Sequence, residues 1–203
     1  MTIPDWGRFY GFTKDSPPWH LLVRAAALAP RRGSALDFGA GAGRDTRYLL
    51  EQGFQVTAVD ADPRAVALLA ELSTLPQTRL RVVQSSFEDF AFTTYDLISA
   101  QFALPFLPRD RFAGVFARLK AALVPGGIFA GQFFGVHDQW NTPDRSMTFL
   151  TRPEAAVLLS DLETIELTEE DADGHVADGS PKHWHVFHIL ARRRLPTDAD
   201  RGS

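Results

Sequence analysis

The chain contains 203 residues, no cysteine and a formal net charge of −4, with 45% hydrophobic residues. This length suits one domain with a substantial core, and the acidic balance argues against general affinity for nucleic acid. Without cysteine, a disulfide framework and a thiol nucleophile are both excluded. No apolar stretch approaches membrane-spanning length, and the N-terminus lacks the basic and apolar regions of a signal peptide. We therefore expect a cytoplasmic protein with no membrane or nucleic-acid partner.

Predicted helices and strands alternate along the chain. In chain order they are helix 18–28, strand 34–38, helix 45–52, strand 54–59, helix 63–72, strands 80–83 and 95–100, helix 109–123, strand 128–134, helix 153–159, and strands 162–167 and 184–191. Such alternation implies a mainly parallel sheet with helices on both faces. Residues 1–17 are aromatic and irregular, and residues 135–151 form a long connection of the kind that is usually functional. A disordered tail is predicted over 196–203.

The most informative segment follows the first predicted strand, where Asp37 precedes a turn with glycine at positions 39, 41 and 43. Glycine permits positive φ and lets a ligand lie directly on the main chain. The helix that starts next points its free N–H groups into the same space. Asp60 ends the following strand, and an acid about 20 residues past such a turn typically accepts the ribose hydroxyls of a nucleoside ligand.

The spacing of the turn discriminates between nucleoside ligands. The dinucleotide fingerprint is Gly-x-Gly-x-x-Gly, whereas here the third glycine comes one residue early and Arg44 stands in its place. The Gly-Lys-Ser/Thr of a Walker loop is absent. A carboxylate at Asp37 suits an ammonium group and would repel a pyrophosphate. The alternative is a glycine-rich turn that binds nothing.

The acid, the three alternating glycines and the distal acid resemble the first two motifs of the class I S-adenosylmethionine-dependent methyltransferases. Leu123-Val124-Pro125-Gly126-Gly127 looks like the turn before the fifth strand of that superfamily, and the order of elements matches over roughly residues 30–194. Within the superfamily, the stretches 43–49 and 53–60 are similar to bacterial tellurite-resistance and thiopurine-methyltransferase-like proteins. The resemblance implies a Rossmann-like, doubly wound, mostly parallel seven-stranded sheet with an antiparallel C-terminal hairpin. It implies a single domain over 1–195, in which 1–29 form an N-terminal lid and helix.

The resemblance also implies S-adenosylmethionine as cofactor and assigns roles around it. Gly39 and Gly41, with Ala40 and Arg44 in the same turn, would carry the methionine part of the cofactor. Asp37 would help hold its amino group, directly or through water.

The nucleoside end of the cofactor is assigned in the same way. Asp60 would accept both ribose hydroxyls, and Ala61 would flank the adenine. Ser86 and Phe87 follow the third strand, where the family places its adenine contacts. Ser86 stands where Asp is common, so the contact to the adenine amino group is weaker or comes from Glu88 or the backbone. Gln101 and Phe102 follow the fourth strand and should lie near the reactive methyl.

A general base is needed only if the methyl acceptor is an alcohol or a neutral amine that must lose a proton. A thiolate, halide or reduced chalcogen needs none. His137, just past the fifth strand, is the first candidate base, His20 is the second, and Tyr10 is named with His137 as a catalytic candidate. An aromatic acceptor pocket is predicted from residues in or beside the bordering segments: Trp6, Tyr10, Phe12, Phe102, Phe133, Phe134 and Trp140. Because residues 133 and 134 point to opposite faces of a strand, at least one of them belongs to the core.

Three histidines near the C-terminus raise the question of a metal site. His183 and His185 share a face of a strand and His188 points the other way. Two histidines lack the third ligand of a zinc site, so no metal is predicted. The acidic run 169–173 is interpreted as a solvated loop.

Three functions compete on the sequence. The favoured one is a methyltransferase that acts on a small-molecule acceptor as a monomer or homodimer. The second, a nucleic-acid or protein methyltransferase, is disfavoured by the acidic balance, and Gln101-Phe102-Ala103-Leu104-Pro105 replaces the Asn/Asp-Pro-Pro-Tyr-type base-methylating motif. The third is a non-catalytic protein that only binds the cofactor.

Overall fold

The computed structural model describes residues 6–72 and 79–196, so most of the tail predicted over 196–203 lies outside the described residues. The helices and strands are α1 (Trp6–Thr13), α2 (His20–Leu28), β1 (Ser34–Phe38), α3 (Arg44–Glu51), β2 (Gln55–Asp60), α4 (Pro63–Leu72), β3 (Leu80–Gln84), β4 (Tyr95–Ala100), a 3₁₀ turn (Leu104–Phe106), α5 (Arg109–Ala122), β5 (Leu123–Gly135), β6 (Phe149–Leu150), α6 (Arg152–Leu158), β7 (Leu162–His175) and β8 (Pro181–Arg193). In these ranges no helix is both long and apolar enough to cross a membrane.

One mixed sheet organises the chain, in the order β3-β2-β1-β4-β5-β8-β7. The first five strands in this order are parallel, and β8 runs antiparallel to both β5 and β7. This confirms the predicted doubly wound sheet with an antiparallel C-terminal hairpin. An eighth strand, the two-residue β6, pairs with the end of β5 and was not predicted.

The core lies on both faces of the sheet, as expected for central parallel strands buried on each side. On one face, Phe116 of α5 packs edge-on against Phe129 and Phe133 of β5. On the other face, Leu22 of α2 and Leu97 of β4 belong to a second buried cluster. Because helices cover both faces, the carboxyl ends of the parallel strands remain the natural place for a ligand.

Two further segments differ from the sequence prediction in their type of structure. Residues 6–13, predicted as irregular, form α1, whose Tyr10 packs against Ala42 and Ala65. This helix has a poor local signal because its partners are distant in the chain. The acidic run 169–173, predicted as a loop, lies inside β7 and pairs residue by residue with β8. Its carboxylates are accommodated because basic side chains face them, as with Asp171 opposite His185.

Candidate functional site

A cavity of about 1210 Å³ opens at the carboxyl ends of the parallel strands, where the sequence analysis expected a ligand. Ten of the eleven predicted cofactor-binding residues line it: Gly39, Ala40, Gly41, Arg44, Asp60, Ala61, Ser86, Phe87, Gln101 and Phe102. Tyr10 lines it as well, whereas Asp37 does not. The structure thus brings together residues from four separate loops.

The glycine turn after β1 requires glycine. Gly39 has a φ of +84°, and a Cβ placed there would lie 2.5 Å from Cβ of Ala103. The N–H groups of Gly39 and Ala40 donate to the carbonyl of Val59 at 2.9 and 3.0 Å. These two bonds tie the turn to the end of β2 and leave its outer surface as bare backbone on the cavity wall.

Asp60 joins the turn to the end of β2. Its Oδ2 accepts from the Gly41 N–H at 2.8 Å, and its Oδ1 accepts from the Asp62 N–H at 2.9 Å. Burial raises the pKa of Asp60, while these backbone donors oppose the rise. Each carboxylate oxygen keeps a second lone pair. The side chain can therefore accept two further hydroxyl donors from a ligand in the cavity.

Asp37 lies beneath the turn and is only 2% exposed. The Thr46 hydroxyl donates to its Oδ2 at 2.6 Å. Burial, together with the nearby charge of Asp45, raises the pKa of Asp37 to about 7. Asp37 was predicted to help hold the amino group of the cofactor directly or through water, and its burial favours the indirect contact.

Asp45 is the acid that the sequence analysis missed at this point. It lines the cavity from the first turn of α3 and accepts from Arg44 Nε at 3.1 Å and Nη2 at 3.0 Å. The Trp19 N–H donates to its Oδ1 at 3.3 Å. An acid in the first turn of a helix was the available signal. A ligand ammonium group would relieve the repulsion between Asp37 and Asp45.

Phe102 is held in an unusual conformation after β4. Its φ of +51° is in the left-handed region, which a bulky residue rarely adopts. The Gln132 side-chain carbonyl accepts from the Phe102 N–H at 2.8 Å, and the Gln132 amide donates to Gln101 Oε1 at 2.9 Å. This buried amide pair fixes the backbone beside the predicted position of the reactive methyl. Such strain is often found at functional sites.

The loop after β3 forms the predicted adenine end of the cavity. The Ser86 hydroxyl donates to Asp89 Oδ2 at 2.7 Å, so this side chain is engaged within its own loop. The Phe87 ring packs 4.3 Å from the ring of Phe38. Glu88, the alternative named for the adenine amino contact, also lines the cavity.

Helix α1 lies over the glycine turn. A Cβ on Gly41 would lie 3.5 Å from the Tyr10 ring, and the Tyr10 hydroxyl donates to Asp62 Oδ2 at 3.3 Å. Burial and the charges of Asp60 and Asp62 raise the pKa of Tyr10. A phenol held protonated in this way is suited to binding rather than to abstracting a proton.

Beyond Phe102 the cavity becomes strongly aromatic. Its further lining includes Trp6, Phe106, Phe134, Trp140 and Trp184. A buried ion pair supports this wall from behind: Lys182 Nζ lies 2.6 Å from Asp138 Oδ2 and 3.4 Å from the centre of the Trp184 ring. Phe134 faces the cavity whereas Phe133 is in the core, which confirms that the two residues point to opposite sides of β5.

The histidines are arranged differently from the prediction. Neither His137 nor His20 is among the described residues that line the cavity, so their predicted role as base is not supported by position. His137 instead bonds Asp171 at 2.8 Å through Nδ1. His188 and His175 line the cavity. As predicted, His188 points away from the face of β8 that carries the other histidines; which face meets the cavity had no signal in the sequence.

A third potential ligand, which was lacking in the prediction, comes from the segment after β5 and lies against the opposite face of the hairpin. His137, Asp171 and His185 offer ligand atoms within 4.8 Å of one another. However, His185 Nδ1 accepts from the His137 N–H at 3.0 Å, and its Nε2 contacts Glu169 Oε1 at 2.9 Å. Both nitrogens of His185 are therefore engaged, and the cluster has the geometry of a hydrogen-bonded network.

Comparison with known proteins agrees with this site. Residues 35–127 match a family model described as a methyltransferase domain. The chain is 36% identical over 120 residues to trans-aconitate 2-methyltransferase of Acidovorax ebreus (strain TPSY), which covers 59% of this chain and 44% of that protein. It is 43% identical over 81 residues to ribosomal RNA small subunit methyltransferase H of Methylorubrum extorquens, which covers 39% of this chain and 23% of that protein. The chain thus spans less than half the length of these curated relatives.

Solved structures show the same fold. TehB from Haemophilus influenzae superimposes with a TM-score of 0.74 at 22% identity, over 85% of this chain and 61% of that one. The 1,6-didemethyltoxoflavin-N1-methyltransferase of Burkholderia thailandensis, solved with S-adenosylhomocysteine, gives 0.64 at 25% identity, over 86% and 79%.

The sheet order, the glycine turn and the position of Asp60 agree with the resemblance to the class I S-adenosylmethionine-dependent methyltransferases. The family model and the relatives support a protein of this class. Its residues fit the cofactor of the class: exposed backbone for the methionine part, two carboxylates near the predicted ammonium position, and an acid with free lone pairs for the ribose.

Proposed function

We propose that this protein transfers a methyl group from S-adenosylmethionine to a small molecule by in-line displacement. The observation that carries the proposal is the continuity of one cavity from Asp60 to the aromatic wall. Ligand pockets typically measure about 300–1,000 Å³. A volume of about 1210 Å³ leaves room for a second small molecule beside the cofactor.

The protein's part in this reaction is binding, orientation and exclusion of water. The cofactor supplies a methyl group already activated on a sulfonium. The amide pair of Gln101 and Gln132 holds the backbone of Phe102, and the aromatic wall keeps the acceptor end apolar. Holding two reactants in one orientation is a large part of the rate enhancement of such transfers.

The names of the relatives and the borders of the cavity bear on the kind of methyl acceptor. Two of the relatives are named for small acceptors, trans-aconitate and 1,6-didemethyltoxoflavin, which favours a small-molecule acceptor. A third is named for ribosomal RNA. Cavity borders from α1 and from residues 174–178 of the hairpin favour an enclosed acceptor over a polymer. We further propose one domain over 1–195, with α1 as part of a lid.

Calorimetry and a product assay test the proposal in two stages. Titration with S-adenosylhomocysteine should give a saturable heat, whereas NAD should give none. Formation of S-adenosylhomocysteine from S-adenosylmethionine is then measured with a panel of small acceptors, with purified ribosomal RNA and with a denatured protein mixture. Turnover with small acceptors alone supports the proposal. Turnover only with RNA or protein, or binding without any turnover, would support one of the other two functions.

A further inference from the structure

We infer that His188 is the general base of this enzyme, that Glu170 positions it, and that the acceptor is a planar ring bearing an ionisable N–H or O–H. The inference rests on the proposed function and specifies its acceptor side. It depends on a histidine–carboxylate pair in the cavity wall that the sequence analysis did not connect.

The pair is built by the β7–β8 hairpin. His188 Nε2 lies 3.1 Å from Glu170 Oε2, and both residues line the cavity. On β7 the residue opposite His188 is Thr168, so Glu170 is its diagonal neighbour on the same face. The Glu170 side chain reaches the His188 ring across this diagonal.

The contact with Glu170 determines which nitrogen is available. A carboxylate accepts a hydrogen bond, so the Nε2 of His188 carries the proton and Nδ1 keeps its lone pair. Within residues 6–72 and 79–196, no hydrogen bond reaches Nδ1 of His188. By contrast, His183 contacts Asp173 and Asp171 through its two nitrogens. His188 therefore offers a ring nitrogen with a free lone pair in the cavity wall, and the adjacent Glu170 carboxylate would stabilise the imidazolium.

The position of His188 relates it to the methyl-transfer point. On β5 its partner is Gln132, and the Gln132 side chain accepts from the Phe102 N–H. The His188 ring also meets the Phe102 ring edge-on, with centroids 6.4 Å apart. In the sheet, only β5 separates β8, which carries His188, from β4, whose carboxyl end leads to Phe102.

The surrounding side chains indicate the kind of acceptor. The Phe102 ring lies 5.7 Å from Trp184 and 6.1 Å from Phe134, and Trp184 lies 5.6 Å from Trp140. Aromatic faces and edges of this kind favour a flat ring. A histidine base suits an acceptor that loses a proton only as it reacts.

In the proposed step, methyl transfer to the acceptor is coupled to proton transfer to His188. A lone pair on the acceptor oxygen or nitrogen attacks the methyl carbon, and the carbon–sulfur bond breaks with its electron pair passing to sulfur. The acceptor proton passes to Nδ1 of His188. The products are the methylated acceptor, neutral S-adenosylhomocysteine and an imidazolium beside Glu170, which then returns its proton to solvent.

The test compares ring acceptors that do and do not need a base. Substituted phenols need one, whereas thiophenol reacts as its thiolate. His188→Ala should lower kcat for the phenols at least 100-fold and for thiophenol less than fivefold. Added imidazole should restore part of the lost rate. Glu170→Gln should lower kcat about tenfold with KM unchanged within twofold. His183→Gln, on the other face of β8, is the matched control and should retain kcat.

The outcomes separate this inference from the proposed function. Equal losses for phenols and thiophenol without imidazole rescue, or an unchanged kcat in His188→Ala, overturn the base role. Turnover of thiophenol alone in the wild type, or no turnover of any ring acceptor despite binding of S-adenosylhomocysteine, overturns the acceptor class. Failure to bind S-adenosylhomocysteine at all overturns the proposed function itself.

Discussion

Replacement of Asp60 by alanine is the most direct test of the cofactor site. The substitution removes the proposed acceptor for two ribose hydroxyls and the acceptor for the Gly41 N–H, which lies 2.8 Å from Oδ2. Hydrogen bonds to a charged group contribute about 1.5–3 kcal/mol each. Because the ribose hydroxyls regain water in the variant, we expect a net loss of roughly 1.4–2.8 kcal/mol, or about 10- to 100-fold in Kd for S-adenosylhomocysteine.

The effect on folding should be smaller than the effect on binding. Burial raises the pKa of Asp60, so the folded state already disfavours its charge, and removing it offsets part of the lost backbone bonds. We expect the free energy of unfolding to change by less than about 2 kcal/mol. Calorimetric titration measures Kd and urea denaturation measures stability. Asp110→Ala, at an exposed first-turn acid of α5, removes the same charge and should change neither. An Asp60→Ala protein that binds S-adenosylhomocysteine within twofold of wild type would refute the ribose assignment.

Three further predictions follow from the glycine turn, the buried acid and α1. Gly39→Ala should destabilise the protein by about 1–3 kcal/mol, because the φ of Gly39 is positive and Ala103 occupies the space of a Cβ. Gly114→Ala, in open space on α5, should instead stabilise the protein by about 0.5–1 kcal/mol. Urea denaturation compares the two variants, and equal effects on stability would contradict the reasoning. A ligand ammonium favours the ionised form of Asp37, so binding should release a proton and the affinity for S-adenosylhomocysteine should rise as the pH passes through about 7. Calorimetry from pH 6 to 8 measures this rise, which Asp37→Asn should abolish; an unchanged profile in that variant would show that another group is responsible. Tryptic cleavage within α1 should slow when S-adenosylhomocysteine is bound, and identical rates with and without ligand would argue against a lid.

The sign of the pH effect on folding follows from the same residue. The pKa of Asp37 is higher in the folded protein than its ordinary value of 3.8. Between these two values the folded state binds more protons than the unfolded state, so this group makes stability fall as the pH rises from about 4 to about 7. Asp37→Asn should remove that part of the pH dependence, and denaturation at pH 5 and pH 8 checks it.

The sequence by itself determined the part of the cavity that we assign to the cofactor. Glycines that need positive φ, strands with short apolar runs and an acid at the end of β2 are local features, and a local conformation needs no knowledge of distant contacts. Helix α4 was predicted at its observed bounds for this reason. Strict alternation along β8 likewise predicted that His188 would point to one face of the sheet and that His183 and His185 would point to the other.

The tertiary structure alone decided the part of the cavity that we assign to the acceptor. Helix α1 depends on the packing of Tyr10 against residues more than 30 positions away, and the acidic stretch of β7 is a strand only because β8 lies beside it. Whether His188 or the other histidines of β8 face the cavity depends on the side of the sheet at which the cavity opens. Non-local pairing settles that choice, and neither the periodicity nor the composition of a single segment contains it.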